Sequence, residues 1–70
     1  MYNSADFQIC NILADCPDDF PVSIYDDSGK YTMEYYTGTA KEVKEKYGMW
    51  FAYDHDKMES GIDIYVIVAK

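Results

Sequence analysis

Glycine and proline divide this chain into short segments. Pro17 ends one apolar pattern, and Gly29, Gly38, Gly48 and Gly61 each separate two neighbouring patterns. Both residue types interrupt regular structure, so each helix or strand between them must be short. A chain of 70 residues, of which 49% are hydrophobic, is long enough for one folded core but not for two. We therefore expect a single domain over residues 1–70, built from several short elements.

The first half of the sequence predicts a helix followed by a hairpin. The helix runs from Ser4, a suitable N-cap, to Asp15, and its apolar sector is broad for a surface helix. A strand begins at Pro21, and Asp27-Ser28-Gly29 is typical of a turn because Asp can bond its own backbone. The segment from Tyr31 to Thr37 alternates its side chains between two faces, which predicts the returning strand of a hairpin.

The second half predicts another helix and two more strands. Thr39 and Glu42 fit a capping box at the start of a helix that continues to Tyr47, and Gly48 predicts a left-handed C-cap. The remaining chain divides into a third strand (Met49–Tyr53), a charged connection (Asp54–Ser60) and a final strand (Ile62–Val68).

These elements follow the order α-β-β-α-β-β and predict an α+β fold. Each helix carries an apolar stripe that must cover a sheet, so we expect two layers, with both helices packed on one face of a four-stranded antiparallel sheet. The nearly continuous apolar run of the last strand places it inside the sheet, with both of its faces covered near its C-terminal end. The sequence leaves the strand order open. The other face of the sheet is expected to be open, acidic and rich in tyrosine, with Trp50 beside it, and to carry Ser23, Tyr25, Thr32, Glu34, Tyr36, Asp63 and Tyr65.

The charge balance limits the partners that this chain can bind. Thirteen Asp and Glu stand against six Lys, there is no Arg, and the formal net charge is −7 at pH 7. Nucleic acids and anionic membranes attract Lys and Arg, so we expect the protein to bind neither directly. The lysines of the second predicted helix alternate with Glu42 and Glu45, which is typical of a solvated helix face with internal ion pairs. An acidic surface that contains tyrosine suits a basic protein partner.

No set of residues matches a known catalytic pattern. His55 is the only histidine, and it lies between Asp54 and Asp56 without a positioned nucleophile or a group to stabilise developing charge. The glycines do not form a phosphate-binding loop. A domain this small also lacks the deep cleft that a pair of glycosidase carboxylates requires. We therefore expect a protein that is not an enzyme.

The candidate metal ligands do not complete a site either. Asp54 and Asp56 begin like a calcium-binding loop, but the later ligands and the central glycine of such a loop are missing. Cys10 and Cys16 do not form a CxxC pair, and His55 is the only histidine that could join them around zinc. Two cysteines are few for a disulfide-stabilised mini-domain. We expect no metal, no cofactor and two reduced thiols.

Eight tyrosines are spread among the acidic residues. Tyrosine supplies contact energy in many protein interfaces, and carboxylates steer association with a basic partner. Tyrosine on an open sheet face also stabilises the sheet through cross-strand pairs, so both roles stay open. The candidate partner-binding residues are Tyr25, Asp26, Asp27, Glu34, Tyr36, Asp54, Asp56, Asp63 and Tyr65.

From Ile12 to Lys30, a helix ends at a Pro-Asp-Asp step before a strand and a turn, Gly38 to Gly48 contains the capped helix, and an apolar strand closes the chain. In these features most of the chain resembles short acidic proteins of Firmicute phages and mobile elements. The chain is also similar to anti-CRISPR proteins in size and charge. The resemblance implies a phage-encoded inhibitor of a host defence system, and several proteins of that group present carboxylates where their target expects phosphates. It implies no activity from which a catalytic residue could be transferred.

These observations predict a non-enzymatic inhibitor or modulator that presents an acidic, tyrosine-rich surface to a basic, nucleic-acid-handling protein, as a DNA mimic does. The alternative is a homo-oligomeric structural or assembly module, which the broad apolar sector of the first helix favours, and a homodimer stays open. The N-terminal segment does not follow the pattern of a signal peptide, and the apolar run from Ile64 to Ala69 is too short to span a bilayer. We therefore expect a cytoplasmic protein, in the cytoplasm of the host cell if it is phage-encoded.

Overall fold

The computed structural model describes residues 7–68. This part of the chain contains a four-stranded mixed sheet and two helices, which confirms an α+β fold with the order α-β-β-α-β-β. The elements are α1 (Ile9–Ile12), β1 (Pro21–Asp26), β2 (Met33–Thr39), α2 (Ala40–Tyr47), β3 (Asp54–Met58) and β4 (Gly61–Val66).

The sheet is mixed, so the prediction of a purely antiparallel sheet is wrong. Its strand order is β2-β1-β4-β3, with antiparallel pairs at both edges and a parallel pair, β1 with β4, in the centre. The path of the chain explains the difference. After β2, the chain returns through α2 to the end of the sheet where β1 finishes, so β3 runs in the direction of β2. The hairpin from β3 then brings β4 back parallel to β1.

A β-bulge in β2 changes which side chains share a face. Ile24 pairs with Tyr36, but Tyr25 pairs with Glu34, so Tyr35 is an extra residue on β2. Directly paired residues lie on the same face of a sheet. Tyr36 therefore lies on the side of buried Ile24, whereas Glu34 lies on the side of Tyr25. The prediction that Tyr36 shares the open face with Glu34 is wrong, because alternation does not continue through a bulge.

The third strand lies later in the chain than predicted. β3 is the segment Asp54–Met58, whose charges predict a connection rather than a strand. All of its residues are exposed, and β3 is an edge strand that pairs on one side only. An edge strand needs no apolar alternation, and its charges discourage pairing with other chains. The predicted strand Met49–Tyr53 is reduced to an isolated bridge between Gln8 and Phe51.

The first helix is much shorter than predicted. α1 covers Ile9–Ile12, and the predicted start at Ser4 lies outside the described residues. Gln8 is extended, with φ −74° and ψ 135°, and the backbone N–H of Ile9 donates to the carbonyl oxygen of Trp50 at 2.8 Å. This β-like pairing uses backbone groups that a longer helix would need. Tertiary contact therefore overrides the helical pattern at this position.

The second helix begins as predicted but ends differently. The Glu42 N–H donates to the Thr39 hydroxyl at 3.2 Å, and the Thr39 N–H donates to the Glu42 carboxylate at 3.0 Å, which confirms the capping box. Gly48 has φ −59° and ψ −28°, so the predicted left-handed C-cap is wrong. Position 48 requires glycine because there is no space for a side chain. A Cβ there would collide with the carbonyl oxygen of Lys44 and lie 3.3 Å from the Cβ of Cys10.

The core combines residues of both helices with alternate residues of the two central strands. Ile24 and Ile64 are fully buried and pair directly across the parallel ladder. β4 is an interior strand, as its apolar sequence predicts. Its two faces are not both covered, however, since Tyr65 is half-buried and Ile67, just beyond the strand, is 47% exposed. The buried residues are Ile9, Leu13, Cys16, Val22, Ile24, Ala40, Val43, Ala52, Ile62, Ile64 and Val66.

Candidate partner-binding face

Backbone pairing places two adjacent rows of four side chains on the face of the sheet opposite Ile24 and Ile64. Side chains alternate between the two faces along a strand, and directly paired residues share a face. We call this set the acidic face. In the strand order β2-β1-β4-β3, one row is Thr37, Ser23, Asp63 and Asp56, and the next row is Glu34, Tyr25, Tyr65 and Asp54.

The pairing brings together most of the residues predicted to bind a partner, but not all of them. Tyr36 packs on the other side of the sheet, and Asp26 and Asp27 lie where β1 ends. Thr37 belongs to the acidic face only because of the bulge, which no spacing in the sequence indicates. The predicted residues that lie on the acidic face are Tyr25, Glu34, Asp54, Asp56, Asp63 and Tyr65.

Two tyrosines stand at the centre of the acidic face. Tyr25 and Tyr65 are direct neighbours in the parallel ladder, and their rings stack with centroids 5.5 Å apart and planes inclined by 23°. Tyr53 extends the group, with its ring centroid 6.4 Å from that of Tyr65. All three side chains are half-buried. They therefore offer ring surface to solvent while the sheet holds them in place.

Carboxylates flank the tyrosine pair at both ends of its row. Glu34 lies directly opposite Tyr25 on β2, and Asp54 lies directly opposite Tyr65 on β3. The Thr37 hydroxyl donates to Glu34 Oε2 at 2.7 Å, and the backbone N–H next to Asp54 donates to its Oδ1 at 2.8 Å. Both acids are exposed. Each carboxylate is thus oriented by a hydrogen bond and still accessible to a partner.

The other row places two acids directly opposite each other. Asp56 and Asp63 are paired residues on adjacent strands. Like charges in such positions destabilise a sheet. Lys57 lies on the other side of β3, where its Nζ is 5.9 Å from the centre of the Phe20 ring and 4.0 Å from an Asp15 carboxylate oxygen. The eight residues of the acidic face therefore include four carboxylates and no basic side chain.

Tyr65 shows the effect of this concentration of negative charge. Burial raises the pKa of its hydroxyl, and Asp63, Tyr25, Asp56 and Asp54 raise that pKa further. A nearby anion disfavours loss of a proton because the product would be a second anion. The Tyr65 hydroxyl therefore stays protonated at neutral pH and can donate a hydrogen bond.

Asp26 is engaged within the chain. Its Oδ1 accepts hydrogen bonds from the Ser28 N–H at 3.0 Å, the Ser28 hydroxyl at 2.7 Å and the Val68 N–H at 3.2 Å. Asp26 pairs with Val66, so it also lies in register with the buried side of the sheet. These bonds connect the turn after β1 to the segment after β4. A contact between Asp26 and a partner stays a prediction.

Asp27 is engaged as well. One of its carboxylate oxygens accepts from the Thr32 hydroxyl at 2.8 Å, and the other accepts from the Tyr53 hydroxyl. Thr32 thus lies in the turn between β1 and β2. The prediction that Thr32 lies on a strand of the open face is wrong. The three side chains fasten this turn to the segment that precedes β3, and a contact of Asp27 with a partner stays a prediction.

The bond between Tyr53 and Asp27 predicts a pH-dependent stability. The bonds from Tyr53 and Thr32 lower the pKa of Asp27 from 3.8, and the bond to Asp27 raises the pKa of Tyr53 from 10.0 to about 12. The stabilisation is therefore present when Asp27 is ionised and Tyr53 is protonated. It is lost as the pH falls below about 4, and it is lost again as the pH rises from 10 towards 12.

Urea unfolding of the wild type and Tyr53→Phe across this pH range measures the effect. The midpoint of the wild type should exceed that of the variant by a constant amount between about pH 5 and pH 9. The difference should shrink at both extremes of pH. A difference that did not change from acid to alkaline pH would show that the hydrogen bond does not form.

A second aromatic group lies on the other side of the sheet. The rings of Tyr35 and Tyr36 both contact Tyr47 of α2, with centroids 5.8 and 5.2 Å away, and Tyr47 packs edge-on against Trp50 at 4.8 Å. The bulge allows two consecutive tyrosines of β2 to reach the same side. Tyr36 and Trp50 therefore pack against the core. The predictions that Tyr36 lies on the open face and that Trp50 lies beside it are wrong.

The remaining chemically active side chains are dispersed. His55 is exposed on β3. Cys10 lies in α1, Cys16 lies in the segment after α1, and both are free thiols. Between residues 7 and 68, no group of three or more His, Cys, Asp or Glu is arranged to bind a metal ion. Neither of the two helices in the described range is long and apolar enough to cross a membrane. The acidic face combines carboxylates with accessible tyrosine rings; aromatic residues are enriched in protein interfaces, and complementary charges steer association.

Comparison with known proteins gives no family model, no curated protein and no solved structure that matches this chain. A function is therefore inferred from the geometry and the charge of the acidic face.

Proposed function

We propose that this protein is a non-enzymatic inhibitor or modulator that docks its acidic face on the basic surface of a nucleic-acid-handling protein. The observation that carries the proposal is the row of Glu34, Tyr25, Tyr65 and Asp54, with stacked rings in the centre and a carboxylate at each end. Carboxylates steer a basic partner into contact, and tyrosine rings supply contact area. A partner occupied in this way could not bind phosphates with the same surface.

The opposition of Asp56 and Asp63 supports a binding role. Stability alone favours opposite charges or apolar pairs at directly paired positions of a sheet. The repulsion between the two carboxylates is relieved when a cationic side chain of a partner lies between them. Local conflicts of this kind are expected at functional sites.

In the proposed arrangement, both helices cover the face of the sheet that carries Ile24 and Ile64. Ile9 of α1 and Val43 of α2 support this layering, because they belong to the same buried cluster as those strand residues. A sheet supported from behind keeps the acidic face rigid, which reduces the entropy lost on binding. The whole chain would then act as one domain in the cytoplasm that contains its partner.

A charge reversal on the acidic face tests the proposal. The variant Glu34→Lys/Asp56→Lys is compared with Asp19→Lys/Glu45→Lys, which changes the net charge equally at exposed positions outside the acidic face. Tagged proteins capture partners from a lysate, and the affinity of each purified partner is then measured with and without duplex DNA. The acidic-face variant should bind roughly 100-fold more weakly, the control should bind nearly as the wild type does, and DNA should compete.

The stability of the same variant separates lost binding from misfolding. The lysine introduced at position 56 faces Asp63, so it replaces a repulsion by an attraction, and the urea midpoint should equal or exceed that of the wild type. Equal affinities of the acidic-face variant and its control would contradict the proposal. A captured partner that neither binds nucleic acid nor is displaced by DNA would contradict it too.

A homo-oligomeric assembly module is the second candidate function. Met33 and Tyr35 on the edge strand β2 are 63% and 43% exposed, and an exposed strand edge can pair with another chain. The bulge in β2 and the net charge of −7 oppose such pairing. Light scattering at millimolar concentration separates the two functions, because a stable dimer would favour assembly over binding to a basic partner.

A further inference from the structure

We infer that the acidic face recognises arginine side chains of its partner in preference to lysine. The inference rests on the proposed function, because it names the cation that the same face binds. It is carried by the stacked rings of Tyr25 and Tyr65 and by the bulge that places Glu34 opposite Tyr25.

The tyrosine pair offers a flat surface to a planar cation. The rings of Tyr25 and Tyr65 stack with centroids 5.5 Å apart and planes inclined by 23°, and β2 is the neighbour of Tyr25 on the side away from Tyr65. A guanidinium group is planar and weakly hydrated, and it stacks on aromatic rings. An ammonium group is a compact, strongly hydrated charge that gains less from a flat ring. The geometry of the rings therefore favours arginine.

Glu34 supplies the anion for a guanidinium on Tyr25. It lies directly opposite Tyr25 because Tyr35 is the extra residue of the bulge, and the Thr37 hydroxyl orients its carboxylate at 2.7 Å. Neighbouring strands lie about 4.8 Å apart, so a cation that stacks on Tyr25 on the side of β2 lies next to the residue that carries this carboxylate. Guanidinium can donate two parallel N–H bonds to a carboxylate, and ammonium cannot.

The other end of the row repeats the combination. Asp54 lies directly opposite Tyr65, and the ring of Tyr53 lies beside that of Tyr65. Three strand spacings separate Glu34 from Asp54, which corresponds to about 14 Å across the sheet. An extended partner segment with two arginines can therefore contact both ends of the row at once.

Hexa-arginine and hexalysine peptides test the inference, because they carry equal charge and differ in the cation. Their affinities for the whole protein are measured by calorimetry at low ionic strength, and amide chemical shifts locate the binding. Hexa-arginine should bind about tenfold more tightly than hexalysine. The largest shifts should occur at Tyr25, Glu34 and Tyr65.

Variants show whether the ring causes the preference. Tyr25→Leu keeps apolar bulk but removes the aromatic surface, so the two peptides should bind with affinities that differ by less than about twofold. Tyr25→Phe keeps the ring and should keep the tenfold preference, which provides a test even if the Leu variant does not fold. Tyr31→Leu, at a tyrosine that is 71% exposed outside the acidic face, should also leave the preference unchanged.

The outcomes separate this inference from the proposed function. If the wild type bound both peptides with equal affinity and Glu34→Lys/Asp56→Lys bound neither, the preference for arginine would be overturned. The proposed function would still stand. A preference that survived in Tyr25→Leu would overturn the role of the ring. Failure of both peptides to bind would remove the basic partner and this inference with it.

Discussion

Ile64→Ala is expected to lower the free energy of unfolding by about 2–5 kcal/mol. Ile64 is fully buried in β4 and pairs with Ile24 on one side and His55 on the other. The cavity left by its side chain cannot close unless the central ladder shifts, because interiors are closely packed. A domain of this size has a total stability on the order of 4–10 kcal/mol, so the variant loses a large share of it. Urea unfolding followed by circular dichroism measures the loss.

Ile67→Ala is the matched control, since it removes the same atoms just beyond β4, where Ile67 is 47% exposed. The loss there should stay below about 1 kcal/mol. If the two variants unfolded at the same urea concentration, the position of Ile64 in the core would be wrong.

Gly61→Ala should lower the free energy of unfolding by about 1–3 kcal/mol. Gly61 is buried at the start of β4, and a Cβ there would lie 2.9 Å from the carbonyl oxygen of Pro21 and 3.3 Å from the Pro21 Cβ. A backbone oxygen cannot rotate away as a side chain can. The added methyl group must therefore push β4 away from β1, next to the pair of Val22 and Ile62 that begins the parallel ladder. The midpoint of urea unfolding reports this change.

Gly29→Ala is the control for added volume at a glycine. A Cβ at Gly29 has no atom of a more distant residue within 4 Å, and no described glycine has a positive φ. The substitution should therefore be neutral or slightly stabilising, because it restricts the unfolded chain. Equal midpoints for the two alanine variants would contradict the close approach of Gly61 to Pro21.

The acidic face could be predicted only where alternation continues without interruption. Tyr25 and Tyr65 lie on strands whose apolar residues mark the opposite face at every second position, so period-two alternation is sufficient. Glu34 and Tyr36 are also two positions apart, yet the bulge sends them to opposite faces. The extra residue of the bulge, Tyr35, contacts Tyr47 of α2 and Trp50. The spacing of polar and apolar residues within β2 does not indicate contacts with residues so distant in sequence.

The edge strand and the direction of the central pair depend on partners distant in sequence. β3 consists of Asp54, His55, Asp56, Lys57 and Met58, and strand propensity alone does not favour such a segment. Its pairing with β4 forms the strand and turns both aspartates to one face. The parallel pairing of β1 with β4 follows from the path of the chain after α2, which the pattern of apolar residues does not encode.

The parallel pairing of β1 with β4 also makes the centre of the sheet slow to form. Each hairpin can close in microseconds through contacts that are local in sequence. The central ladder joins Val22 to Ile62, so the long chain segment between them must lose conformational entropy before the pairing can contribute its favourable contacts. Contacts of such large sequence separation are associated with slow folding. The rows that cross all four strands are therefore completed only when the two hairpins dock, so a half-folded chain has no assembled acidic face.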